Sequence, residues 1–188
     1  MDTSQFDSGL RHRLILAGLK ELEDHGVKDF SLRRVAINAE VSCAAPYRHF
    51  KDKEQLIAGI IDYVKDGWQL LAKQIEQVFN QNNRQLIIEL CLSFVKFWIA
   101  NGYFRSVLSL NEGNNDKNHN LLMKDFDTPI ENAVNQYLTK KNNTSSDDTS
   151  LSFNVLSATY GTLMLINKQA YTSEQALKLL KQQLNKLI

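Results

Sequence analysis

Residues that break helices are scarce in this chain. Two prolines and eight glycines occur among its 188 residues. An all-β sandwich or barrel needs a turn about every 8–12 residues, and proline and glycine supply many of those turns. Their scarcity therefore argues against a strand-rich fold and predicts long helices with few connections. The chain is 43% hydrophobic and 23% charged, as expected for a globular protein with one large domain, or a small domain joined to a larger one.

Several classes of protein are disfavoured by what the sequence lacks. No apolar run reaches the roughly 18 residues of a membrane-spanning helix. The first residues show no apolar segment with a cleavage site, so no signal peptide is predicted. Cys43 and Cys91 lack the spacing of a disulfide or zinc framework. We therefore expect a cytoplasmic protein that has no membrane segment, no metal and no cofactor.

Apolar residues recur at spacings of three and four along most of the chain, which indicates amphipathic helices. Helices are predicted over 10–25, 32–39, 43–50, 53–80, 84–100, 103–110, 121–138, 151–170 and 173–188. Arg84 to Ala100 is apolar on several sides, which predicts a central, buried helix. The resulting organisation is a small N-terminal three-helix unit that continues into a helical body.

Particular residues predict where these helices begin and end. Gly26 suits the left-handed position that follows a helix. Ser31, Ser42 and Asp52 are predicted N-caps, and Gln55 gives Asp52 a capping-box arrangement. Pro129 should kink or divide the helix over 121–138. The segment 139–150 contains no apolar residue, which predicts a mobile loop.

The stretch over 30–53, FSLRRVAINAEVSCAAPYRHFKDK, is the most informative part of the sequence. Only Glu40 and Val41 separate its two short helices, which predicts a helix-turn-helix. That arrangement lets the second helix lie in the DNA major groove with its first residues at base edges. Between Ser31 and Lys53 there are five basic and two acidic residues, whereas 54–188 carries 13 of each sign. The basic excess is therefore local to the proposed DNA face.

The same stretch resembles the DNA-binding segment of the TetR family of transcriptional regulators. The family pattern is roughly Ser/Thr-x-x-x-Ile/Val-Ala-x-x-Ala-x-Val-Ser, then Tyr-x-His-Phe, a short turn, Lys and an acidic residue. This chain supplies Ser31, Val35, Ala36, Ala39, Val41, Ser42, Tyr47, Arg48, His49, Phe50, Lys53 and Glu54. The match covers about a quarter of the chain. Its one departure is Glu40, where a small residue, often Gly or Ala, is usual.

The resemblance implies an all-α fold with two domains. Residues 1–52 would form a helix-turn-helix DNA-binding domain. Residues 53–188 would form a helical bundle that binds an effector and dimerises. No HExxH, GxSxG or phosphate-binding glycine loop occurs, and the four histidines are scattered, so an enzyme is not expected.

The predicted DNA face combines base and phosphate contacts. Arg48 is the expected hydrogen-bond donor to a base, and Cys43, Ala44 and Ala45 are short enough for apolar contact with thymine methyl groups. The resemblance places Tyr47, His49 and Lys53 at positions that commonly reach phosphates. The full predicted set is Ser31, Arg33, Arg34, Ser42, Cys43, Ala44, Ala45, Tyr47, Arg48, His49 and Lys53. The alternatives are a solvated face for the two adjacent arginines and a capping or surface role for His49.

The helical body offers candidates for an effector pocket and for a dimer interface. The pocket candidates are Trp68, Phe94, Phe97, Trp98, Tyr103, Phe104, Met123, Phe126, Tyr160 and Met164. The interface candidates form a leucine seam and a strip of small residues: Leu177, Leu180, Leu184, Leu187, Ser157, Ala158, Gly161 and Thr162. The alternatives are an aromatic core without a pocket, and packing within one chain.

Together these features predict a dimeric regulator, most simply a repressor, that binds a palindromic operator in double-stranded DNA. A small apolar or amphipathic effector of unknown identity would release it by displacing the long helix that begins at Lys53. Two alternatives stay open: a constitutive or activating regulator without an effector, and an all-helical enzyme or carrier.

Overall fold

The computed structural model describes residues 3–101, 126–141 and 147–188, and every regular element in these ranges is a helix. The helices are α1 (Thr3–His25), α2 (Leu32–Asn38), α3 (Pro46–His49), α4 (Lys53–Phe79), α5 (Asn83–Ala100), α6 (Thr128–Lys140), α7 (Asp147–Asn167) and α8 (Ser173–Leu187). The predicted all-α fold is confirmed. The predicted helix over 103–110 and the first residues of the one over 121–138 lie outside the described ranges. None of the described helices has the length and apolar character needed to cross a membrane.

Most helix ends follow the predicted capping chemistry. Gly26 adopts φ = +67°, and its N–H donates to the Leu22 carbonyl at 2.9 Å. Asp52 Oδ1 accepts from the Gln55 N–H at 2.8 Å, as predicted for the start of α4. The Gln55 side chain does not complete the predicted box on Asp52, because its Oε1 accepts from the Lys51 N–H instead.

In the second half of the chain, the prediction of a loop over 139–150 is wrong in part, whereas the prediction for Pro129 stays open. Pro129 lies in the first turn of α6 and does not kink it, because a missing N–H breaks no helical hydrogen bond there. Residues 121–125, which the proline was predicted to divide from the rest of the helix, lie outside the described ranges. The segment 139–150 is not all loop, because α6 continues to Lys140 and α7 already begins at Asp147. Thr139 is exposed, and its hydroxyl donates to the Asn135 carbonyl at 2.8 Å. A run of polar residues therefore continues the solvent face of a helix without ending it.

The described residues form two compact units that divide within α4, between Asp66 and Gly67. In the first unit, α1 to α3 pack with the beginning of α4. A Cβ atom at Gly18 would lie 2.7 Å from Ile60 Cδ1, and one at Gly59 would lie 3.1 Å from Phe50 Cε1. These glycines allow close approach of the helices. The functional boundary between residues 52 and 53 stays a prediction.

The second unit contains the rest of α4 together with α5 to α8. α5 is its most buried helix, which confirms the prediction from its apolar sequence. The buried apolar residues of α5 are Leu86, Ile87, Ile88, Leu90, Cys91, Leu92, Phe94, Val95 and Trp98. Burial raises the pKa of the Cys91 thiol to about 12, so this cysteine is protonated and unreactive at neutral pH.

Candidate nucleic-acid-binding site

The N-terminus of α2 is fixed by a buried carboxylate from α1. Glu21 is fully buried, and its Oε1 accepts from the Ser31 N–H at 3.0 Å and from Arg34 Nε at 2.8 Å. Its Oε2 lies 3.3 Å from His25 Nδ1. Arg34 also donates to the Asp29 carbonyl. The predicted N-cap role of Ser31 is confirmed, since its hydroxyl accepts from the Arg34 N–H.

The C-terminus of α2 is also contacted from α1. The Arg13 guanidinium donates to the carbonyl of Ala39, the residue that caps α2. The Val41 N–H then donates to the Ala36 carbonyl at 3.0 Å, which folds the chain back toward α3. Within this turn Glu40 adopts φ = +55°, a left-handed conformation that favours glycine. The departure from the family pattern therefore falls at the residue with the least favourable backbone conformation in the turn.

The start of the second helix differs from the prediction. Ser42 does not cap it, because α3 begins at Pro46 with Ala45 as N-cap. The physical reason is that proline has no N–H to donate to the Ser42 carbonyl, the partner four residues earlier in an α-helix. The Ala45 N–H donates to that carbonyl instead, at 2.9 Å, which gives a tighter turn.

The predicted DNA contacts divide into exposed and inward-facing side chains. The exposed ones are Arg33, Ser42, Cys43, Ala44, Tyr47 and Arg48. Ser31, His49 and Lys53 are half-buried, and the Lys53 ammonium lies 3.4 Å from the Lys28 carbonyl oxygen. Ala45 is buried, so it packs into the unit and offers no methyl contact in this conformation.

The two adjacent arginines of α2 lie in different environments. Arg33 is exposed, whereas Arg34 is 2.6 Å from Glu21 Oε1 and has a side chain only 42% exposed. The hydrogen bond to Glu21 raises the pKa of the Arg34 guanidinium. Arg33 is therefore placed to meet an external anion, while Arg34 already has an internal one. The contacts of both residues with DNA stay predictions.

The pocket candidates within the second unit form an aromatic cluster. Ring centroids are 5.1 Å apart for Trp68–Phe94 and 5.6 Å for Trp68–Phe97, and Phe94 has further ring contacts with Trp98 and Tyr160. Phe126 packs against Trp98 at 5.8 Å. Met164 lies outside the cluster because its side chain is 60% exposed. Tyr103, Phe104 and Met123 are outside the described residues.

One polar pair lies at the edge of this aromatic cluster. The Tyr160 hydroxyl donates to Asp127 Oδ1. Burial raises the pKa of the Asp127 carboxyl above its ordinary value, although the hydrogen bond from Tyr160 opposes this. Trp68 Nε1 donates at 2.9 Å to the carbonyl of Phe126, the residue just before Asp127. The start of α6 is thereby tied to both α4 and α7.

The predicted interface residues are only partly on the surface of the chain. Leu180 and Leu184 of the seam are buried within the second unit, and so are Ala158 and Thr162 of the small-residue strip. Leu177 and Leu187 are half-buried. Intrachain packing therefore accounts for the centre of the seam. Ser157 is exposed and Gly161 half-buried, on a face of α7 that also exposes Phe153, Met164 and Leu165.

Comparisons with known proteins place this geometry in a family. The profile of "Bacterial regulatory proteins, tetR family" matches residues 14–60, which include α2, the turn and α3. Residues 14–60 carry the DNA-binding segment of the TetR family. This match supports a TetR-family transcriptional regulator with a helix-turn-helix. No curated protein sequence matches the chain significantly.

Solved structures that resemble this chain share its fold at low identity. A TetR transcription regulator from Haloarcula marismortui aligns with a TM-score of 0.78 and 16% identity, covering 96% of each chain. FadR from Bacillus subtilis, solved in complex with stearoyl-CoA, aligns with a TM-score of 0.69 and 14% identity, covering 90% of this chain and 96% of FadR. The fatty acid degradation regulator FadR from Bacillus halodurans aligns with a TM-score of 0.72 and 16% identity, covering 93% of this chain and 94% of that protein.

Glu21 and Arg13 are structural contributors to the site that the sequence pattern did not reveal. Glu21 is one of three acidic residues over 21–24, and this run suggests an ordinary solvated end of a helix. A detectable signal was its position beside Leu22 in the apolar stripe, because a carboxylate there must be buried with a partner.

The left-handed conformation of Glu40 gives a prediction about stability. We expect Glu40→Gly to raise the free energy of unfolding by about 1 kcal/mol, because a Cβ atom is strained at φ = +55°. Glu40→Gln is the matched control, since it removes the same charge but keeps the Cβ atom. Urea unfolding at one protein concentration measures both variants. Equal stabilities of the two variants would show that charge, and not backbone strain, governs this position.

Proposed function

We propose that this TetR-family regulator binds a palindromic operator as a homodimer in the cytoplasm, and that α3 and the preceding turn contact the bases. The observation that carries this proposal is the exposed face over 42–48, where Cys43, Ala44, Tyr47 and Arg48 lie on the solvent side of a firmly packed unit. Arg33 of α2 is an exposed cation that is available for phosphate. The local excess of basic residues over 31–53 supports the same assignment.

The proposal is tested by selecting bound sequences from random duplex DNA. An enriched palindrome, bound with an affinity that falls steeply as salt rises, is the expected result. The affinity for a scrambled duplex of equal length and composition is the control. Weak binding without enrichment would contradict sequence-specific recognition.

Arg48 and Arg33 should respond differently to alanine substitution. Arg48→Ala is expected to cost about 1–3 kcal/mol in operator binding and to relax the preference at one base pair in each half-site. Arg33→Ala should weaken binding to all sequences and reduce the slope of log K against log salt by about one. Fluorescence anisotropy titrations on the selected operator at several salt concentrations measure both effects. An unchanged sequence preference for Arg48→Ala would remove Arg48 from base readout.

The exposed apolar face of α7 supports the proposed dimer. Phe153, Ser157, Gly161 and Met164 follow each other at spacings of four, four and three, so they share one side of the helix. Phe153 and Met164 are 69% and 60% exposed. A Cβ atom added to Gly161 would meet no described atom within 4 Å, so the face is open to a second helix. The second copy of this chain is the proposed occupant.

A charge on this face should separate the subunits. We expect Met164→Glu to shift the mass in solution from twice 21.5 kDa toward that of one chain, because an interfacial carboxylate would be buried without a partner. Affinity for the palindrome should fall along with the dimer. Gln136→Glu on the exposed side of α6 adds the same charge and is the control. Light scattering after size exclusion gives the mass; dimers of unchanged stability in Met164→Glu would place the interface elsewhere.

The aromatic cluster supports an amphipathic effector with a long apolar chain. Its members are large apolar side chains accompanied by few polar groups, the composition of ligand sites in general. The FadR of Bacillus subtilis, which shares the fold, was solved with stearoyl-CoA. By this analogy we propose a fatty acyl thioester as the effector class. Binding would favour a displaced α4 and lower operator affinity. We propose that the regulator acts as a repressor, which such an effector would relieve.

A second candidate is a regulator that needs no effector. The observation favouring it is that the Phe94 ring already contacts the rings of both Trp68 and Trp98. Such a core gives up packing to admit a ligand.

Stearoyl-CoA discriminates between the two candidates. A ligand present at 100 times its dissociation constant should stabilise the protein by about 2.7 kcal/mol and release the operator. Coenzyme A alone is the control, because it lacks the acyl chain. Thermal unfolding and operator anisotropy are measured in the same samples. Neither a thermal shift nor release across a series of acyl chain lengths would exclude the acyl effector and favour the second candidate.

A further inference from the structure

The two contacts that α1 makes with α2 match in spacing. Glu21 contacts residues at the beginning of α2, and Arg13 contacts the carbonyl of Ala39 at its end, so the two helices run antiparallel. Arg13 and Glu21 are eight positions apart, and so are Ser31 and Ala39. At about 1.5 Å per residue, both spans are about 12 Å. The two contacts therefore hold α2 in one register along α1, because sliding in either direction breaks both.

The charges of the two contacts also match the polarity of α2. The N-terminus of a helix carries partial positive charge and the C-terminus partial negative charge. The Glu21 carboxylate lies at the N-terminus of α2, where it accepts from the Ser31 N–H, a donor with no partner inside the helix. The Arg13 guanidinium lies at the C-terminus, where it donates to a carbonyl. Reversing or rotating α2 would lose both interactions.

The cost of burying Glu21 suggests that the contact supplies geometry more than stability. The carboxylate is fully buried, whereas the Arg34 side chain is 42% exposed. An ion pair of this kind gains little over well-packed apolar side chains, because desolvation offsets the attraction. The hydrogen bonds from Ser31 and Arg34, however, fix the direction in which α2 begins.

The orientation of α2 passes directly to the DNA face. Carbonyl groups of α2 accept the hydrogen bonds that form the turn, from the Glu40 N–H to Ile37 and from the Val41 N–H to Ala36, each at 3.0 Å. Arg33 is on α2 itself, and α3 follows the turn. A rotation of α2 would therefore move the phosphate and base contacts together.

We propose that Glu21 and Arg13 are positioning residues for operator recognition, acting through α2 without being part of the DNA contact. This inference rests on the proposed DNA binding. It assigns Arg34 to the same internal clamp, as the partner of Glu21. It also predicts that disturbing the clamp weakens operator binding even where the fold and the DNA-contacting residues are intact.

The first test compares Glu21→Gln with Glu23→Gln on the operator selected by the wild type. Both variants remove one negative charge from α1, but Glu23 is exposed and Glu21 is buried. We expect Glu21→Gln to bind the operator about tenfold more weakly, with an unchanged salt slope. A tenfold loss corresponds to about one molecule in ten holding α2 in the orientation that binds DNA. The Ser31 amide should also lose protection from hydrogen exchange. Equal affinities of the two variants would overturn the proposal.

Arg13 is tested in the same way from the other end of α2. Arg13→Gln should weaken operator binding severalfold without changing the salt slope, and Arg13→Lys should restore part of the loss because it keeps a cationic donor. Lys20→Gln, which removes an exposed cation from the same helix, is the control. A salt slope lowered by about one in Arg13→Gln would identify Arg13 as a phosphate contact and overturn its assignment.

A double substitution separates positioning from general stability. Glu21→Leu combined with Arg34→Met replaces the ion pair with apolar side chains, a change that is often neutral or stabilising. We expect the melting temperature to be kept while operator affinity falls at a constant salt slope. Wild-type affinity in this variant, or a loss of affinity that follows the loss of stability in all variants, would overturn the proposal. If the wild type itself selects no operator, the proposed function fails, and this inference fails with it.

Discussion

The buried carboxylate of Glu21 is the constraint on which the DNA-binding unit depends. A fully buried charge requires close partners, and here they are the Ser31 N–H and the Arg34 guanidinium, both at the beginning of α2. Because of this requirement, polar contacts hold the beginning of α2 against α1 in addition to the apolar packing. The turn is then built from the carbonyl groups of α2, and α3 follows from it. We therefore propose that a side chain outside the DNA contact determines where the proposed DNA face lies.

The second unit is organised around apolar packing instead of charge. α5 is buried along most of its length, and its Phe94 ring contacts both Trp98 of the same helix and Trp68 of α4. A buried polar contact joins two of its helices across the core, since the Trp68 indole donates to the Phe126 carbonyl just before α6. α4 contributes residues to both units. The continuity of this helix is the physical reason to propose that a ligand in the second unit changes DNA binding by the first.

The sequence predicted the helices well where a local cause determined them. Gly26 and Ser31 cap as expected, and α5 is central because it is apolar on several sides. Predictions from the sequence failed where a distant partner or a missing backbone N–H determined the local structure. Pro46 removes the N–H that a helix capped by Ser42 would need, and the burial of Leu180 depends on packing between helices. The position of Glu21 in the apolar stripe indicates burial, but its role depends on a partner thirteen residues further along the chain.

The most direct test of the central claim is amide hydrogen exchange of the protein, free and bound to its selected operator. The account predicts added protection concentrated over residues 31–53, on the turn and α3, with the scrambled duplex giving little at the same salt concentration. Protection confined to other segments, or equal protection by both duplexes, would contradict recognition of DNA by this face.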